Sequence, residues 1–212
     1  MNEALNFLNS YCDFSDPQWV WMLTGMSRNK DGIPAHKYMQ RLVVSNPEEL
    51  LECHKRIKQE ATNPDTTYRM YVSLNARNAV KTAFAFQKTL LDIGYGLAQG
   101  HQDALVQAKR ISSLWKTELA QSHSRATKRI LLDIDTTRLE DKTAILTHVA
   151  SLPNVNIHVV RNTPNGQHIV IDACDTRGLV EFCKEYALPF KEDHIQRDSL
   201  VFVEQWKGGD WG

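Results

Sequence analysis

The order of apolar segments in the last third of the chain constrains the fold more than any other feature. From residue 130 to about 204, stretches of strand and helix periodicity alternate. KRILLDIDT has strand chemistry, RLEDKTAILTHVASL is an amphipathic helix, and VNIHVVRN and GQHIVIDA are strands joined by Thr163, Pro164, Asn165 and Gly166. DTRGLVEFCKEYAL is a second helix and DSLVFVEQW a closing strand. The order β-α-β-β-α-β predicts an antiparallel sheet with both helices on one face and the other face open.

That is the ferredoxin-like, or RNA-recognition-motif (RRM-like), topology, and it is expected over residues 126–212. Residues 1–125 read as an N-terminal α/β subdomain, which makes the whole chain α+β. A helix is expected over 2–11, strands at 19–26, 40–45 and 67–77, and helices over 47–61, 78 to 94 or 97, and 102–121. Val80, Phe84, Phe86, Leu90 and Leu91 form the apolar side expected to face the core. The polar, basic QSHSRATKR marks the boundary near residue 125.

Lys and Arg total 25, matching 25 Asp and Glu, so only a local basic groove could serve a polyanion. With no secretory leader pattern and no apolar run of about 18 residues, no membrane association and a cytoplasmic location are expected. The scattered Cys12, Cys53, Cys174 and Cys183 give no zinc pattern.

In RILLDIDT, Asp133 and Asp135 alternate with Ile134, which puts both carboxylates on one face of a strand. At about 6–7 Å apart they repel by roughly 2–3 kcal/mol at an effective dielectric near 20. A hard divalent cation such as Mg²⁺ or Mn²⁺ offsets this. In the expected topology the end of that strand meets the start of its two antiparallel neighbours, which brings His168 and Asp198 to the same corner. Glu204, at the far end of the closing strand, is the competing third acid. Arg28 and Lys30 after the first strand, and Arg69 and Arg77 around the third, are candidate phosphate contacts. Arg77 stands out because it sits where a strand hands over to a helix. Tyr68, Tyr71, Trp19 and Trp21 are either core or stacking residues.

The series LLDIDT, then NGQH with small Gly166 two residues before His168, then an acid at a strand start resembles the catalytic motifs of the archaeo-eukaryotic primase (primase-polymerase) superfamily. The resemblance implies nucleotidyl transfer at a two-metal site. Asp133, Asp135 and Asp198 would be metal ligands, and Gly166 and His168 the triphosphate motif. It also implies nucleoside triphosphates and single-stranded DNA or a primer-template as partners, and possible work beside a helicase. Two other readings stay open: an RRM-like nucleic-acid-binding module without catalysis, and a metal-dependent phosphodiesterase or nuclease.

Overall fold

Local sequence signals set the starts of two of the helices, at Asn46 and Asn78. Asn46 caps a helix by accepting from Glu49 N at 2.9 Å, Pro47 occupies the first turn, and Glu49 reaches back to Ser45 N at 2.8 Å. A computed structural model describes residues 3–27 and 38–209. In chain order the elements are α1 (Glu3–Tyr11), β1 (Trp19–Ser27), β2 (Met39–Val44), α2 (Pro47–Glu60), β3 (Thr67–Ser73), β4 (Arg77–Asn78), α3 (Ala79–Ala98), α4 (Gln102–Ala108) and α5 (Ile111–Leu119). There follow β5 (Arg129–Ile134), α6 (Leu139–Ser151), β6 (Ile157–Thr163), β7 (Gly166–Asp172), α7 (Arg177–Glu185), β8 (Ile195–Gln196) and β9 (Leu200–Lys207). The class is α+β, with two antiparallel sheets. No described helix is long and apolar enough to cross a membrane.

The second sheet has the order β6-β7-β5-β8, so the β-α-β-β-α-β succession is present. Its fourth strand is not the expected one. The two-residue β8 pairs with Leu131 and Leu132, while DSLVFVEQW, as β9, crosses to the first sheet, order β2-β1-β3-β9. Burial explains the choice: Val201, Phe202 and Val203 are all buried, and a strand apolar on both sides needs cover on both. Beside β3 it finds that cover.

The open face expected for the second sheet is also closed. Ile130, Leu132, Ile134, Ile169 and Ile171 pack under α6 and α7, whereas Leu131 and Val170 point the other way into the core built by α1, α2 and the first sheet. Asn75, fully buried, stitches the halves. Its Oδ1 accepts from Arg129 N at 2.7 Å and Thr127 Oγ1 at 3.0 Å, and its Nδ2 donates to Arg129 O.

In the first half, the helix expected over 102–121 is broken at Lys109 and Arg110, and both pieces contact α3. Helix α3 itself faces the other way from expectation. Thr82, Ile93 and Gly96 are buried, Phe86 packs edge-on to Trp115, and Val80, Phe84, Leu90 and Leu91 are exposed.

Across β9 from the cleft described below, Glu204 Oε1 meets His54 Nε2 at 2.5 Å and Oε2 meets Lys58 Nζ at 3.7 Å. Burial raises the Glu204 pKa, but the His54 hydrogen bond and charge, with Lys58, outweigh it and hold the carboxyl below its usual value. A depressed folded pKa contributes stability above the unfolded value and loses it as pH falls through the folded one. Glu204→Gln should therefore cost about 1–3 kcal/mol at pH 7. In denaturant titrations the gap to wild type should narrow as pH drops below the ordinary carboxylate range. A constant gap would show that the charge contributes nothing.

Candidate functional site

Strand β7 pairs with β5 so that His168 lies opposite Asp133, and with β6 so that it also lies opposite Arg161. This row of side chains faces the open edge of β9. There the backbone N–H of Phe202 donates to His168 Nδ1 at 3.1 Å. An amide N–H can only donate, so Nδ1 is the acceptor and the ring proton sits on Nε2. Nε2 in turn stands 3.4 Å from Asp133 Oδ1. The facing His168, against partial burial and with a further contribution from His194, holds the Asp133 carboxyl below its usual range. The carboxylate repulsion expected from sequence is thus eased locally: Asp133 turns to His168, and Asp135 is solvent-exposed.

Asp133, Asp135 and His168 line a cleft of about 340 Å³ between the sheets. From β3 come Arg69 and Tyr71, from β9 Leu200 and Phe202, and from the β6–β7 turn Asn165. Arg69 Nε donates to Gln205 Oε1 at 2.9 Å and Nη1 contacts Tyr71 OH at 3.5 Å, but its buried Nη2 has no hydrogen-bond partner among the described residues. The positive charge of a guanidinium lining a polar cleft suits an anionic ligand.

Gly166 is explained by packing. A Cβ there would stand 1.9 Å from Ile134 O and 3.3 Å from Asp135 Cα, so the end of β5 can lie against the turn only because the side chain is missing. Gly166→Ala should cost about 1–3 kcal/mol by overpacking. In a crystal structure it should displace the segment bearing Asp135, and an unshifted backbone would refute this account.

Two expected site residues lie elsewhere. Because β8 runs antiparallel to β5 from the pairing of Ile195 with Leu132, the chain beyond Gln196 heads toward the Arg129 end, away from Asp135. Asp198 Oδ1 instead accepts from Arg77 Nη2 at 2.5 Å, and Arg125 Nε lies 4.0 Å from Oδ2. Arg77, 4% exposed, also donates to Gln121 O at 3.1 Å. Of the three acids expected at one corner, Asp133 and Asp135 line the cleft and Asp198 does not, and Arg77 is a structural partner of Asp198. Among the described residues no group of three or more His, Cys, Asp or Glu is placed to hold a metal ion. Glu204 is occupied by His54. Arg28 and Lys30 fall outside the described residues. Tyr68 and Trp21 are core residues, whereas Tyr71 reaches the cleft.

Sequence reasoning missed Phe202, whose backbone orients His168, and the β9 crossover that brings it there. The consecutive apolar run VFV was the available signal. Searches against protein-family models, curated proteins and solved structures returned no match.

Asp198→Ala would strand a buried guanidinium and should cost about 3 kcal/mol in denaturant unfolding. A loss under about 1 kcal/mol would place the pair with ordinary surface bridges.

Proposed function

We propose that the cleft binds a nucleoside triphosphate with Mg²⁺ or Mn²⁺, and that the chain is a primase-polymerase-like nucleotidyltransferase. One observation carries the reading: Asp133 on β5, Asp135 just past its end, His168 and Arg69 converge on a single cleft between the sheets.

The donor set fits the metal. Mg²⁺ takes one or two carboxylates and fills its remaining positions with water and substrate phosphate, so Asp133 and Asp135 suffice to anchor one ion without a third acid. When bound, the ion would neutralise charge on the triphosphate and the leaving pyrophosphate. His168, with its proton fixed on Nε2, offers a donor to a phosphate oxygen, and the Arg69 guanidinium, which lines the same cleft, offers another. Tyr71 and Phe202 give an apolar flank for base and sugar. In transfer, a primer 3′-hydroxyl oxygen would bond to the α-phosphorus while the bond to pyrophosphate breaks and the hydroxyl proton leaves to solvent.

Commitment of Asp198 to Arg77 favours a second reading, nucleotide binding without transfer, because a two-metal centre would lack its third carboxylate. Burial of Leu131 and Val170 disfavours an RRM-like single-strand binder, since the sheet face that would present stacking residues is packed inside the protein.

The deciding experiment supplies Mn²⁺, labelled NTPs or dNTPs and a primed single-stranded DNA template, sizes the products, and measures binding of a fluorescent nucleotide in parallel. Wild type should extend the primer. Asp133→Asn should abolish extension while leaving the fold intact, and Arg69→Ala should weaken nucleotide binding about tenfold, the loss of roughly one charge-assisted hydrogen bond. Binding without extension selects the second reading, and shortened primers select hydrolysis. No Mn²⁺-dependent binding would refute both nucleotide readings.

A further inference from the structure

Helix α3 is apolar on two opposite sides. Thr82, Ile93 and Gly96 face the body of the protein. At about 100° per residue, Val80, Phe84, Leu91 and Tyr95 fall within an arc of about 60° on the opposite side. That side is in water: Phe84 is 69% exposed, Leu91 75% and Tyr95 69%. With about 150–250 Å² for a large side chain, the stripe presents roughly 500 Å² of apolar surface, at the upper end of what a monomer leaves uncovered.

The stripe is symmetric about its own middle. Val80 and Tyr95 are equally distant from the midpoint between Gln87 and Lys88, and so are Phe84 and Leu91. Two α3 helices laid antiparallel about a two-fold axis through that midpoint place Phe84 against Leu91 of the second copy and Val80 against Tyr95 of the second copy. An isologous interface demands a self-complementary face of this kind.

The flanks agree with the pairing. Lys81 and Asp92 lie on the same side of the stripe, and the two-fold brings Lys81 to within about 3 Å, along the helix axis, of Asp92 of the second copy. On the other side lie Ala83 and Gly94. Gly94 is exposed, and a Cβ there would meet nothing within 4 Å of its own chain. A mid-helix glycine costs about 1 kcal/mol relative to alanine. It gains a role where a second backbone approaches. One contact opposes the pairing, because Lys88 lies beside Lys88 of the second copy.

We infer that α3 is a homodimer interface, in which two copies of this chain pair antiparallel through Val80, Phe84, Leu91 and Tyr95. The stripe, the stems of Lys81 and Lys88, and Gln87 together approach the ~800 Å² per partner of a standard interface, so the dimer should dissociate in the micromolar range.

Sedimentation equilibrium of the full chain up to about 100 µM tests it. Wild type should be dimeric at the upper end. Phe84→Glu and Leu91→Glu, both at exposed positions, should be monomeric with unchanged circular dichroism. Lys81→Asp should weaken association about tenfold, Lys81→Asp with Asp92→Lys should restore it, and Lys88→Gln should tighten it. Gln87→Cys, next to the axis, should cross-link the dimer on oxidation where wild type does not. A wild type that stays monomeric would overturn the inference, as would a dimer that survives Phe84→Glu or one that Gln87→Cys fails to cross-link.

Discussion

The free edge of β9 is the constraint on which the rest of the structure depends. β3 pairs with one side of β9 and leaves a row of backbone groups on the other, and a buried edge of that kind must find partners. The second sheet supplies them with side chains. His168 accepts from Phe202 N–H, and Arg161 Nη2 donates to Val203 O at 2.6 Å. The carbonyl is free because the β3–β9 register slips at Met70 and Tyr71, which makes Val203 the extra residue of a bulge. Arg161 also reaches Glu3 at 2.7 Å and stacks over Phe7, so the same guanidinium ties α1 to both sheets.

His168 consequently has two duties. Its Nδ1 belongs to the seam between the sheets, and its Nε2 belongs to the cleft. Satisfying β9 fixes the tautomer, and fixing the tautomer determines what the cleft can offer a ligand. Asn or Gln could reproduce one of these contacts but not the ring geometry that makes both at once.

Much of this was legible in the sequence for physical reasons that can be named. Strand and helix periods located nearly every element, and the period of two in RILLDIDT placed Asp133 and Asp135 on the wall of one cleft with His168. Strand partnership was not legible. DSLVFVEQW is the strongest closing strand in the sequence, while β8 is two residues in a polar stretch, so the register that sends Asp198 to Arg77 rests on a pairing that periodicity cannot detect. Helix α3 deceived for a different reason. Its apolar stripe has the spacing of a core face, and only tertiary contacts reveal that the narrower set of Thr82, Ile93 and Gly96 is the side turned inward.

The return of β9 to the first sheet also sets an order of assembly. β3 and β9 are separated by the whole of the second sheet, so the first sheet stays one strand short until residues near 207 have left the ribosome. α6 and α7 can cover their own sheet before then, but Phe202 N–H is not yet available to orient His168. The cleft therefore cannot be complete before β9 is in place. A chain ended before β9 would carry both aspartates without the cleft.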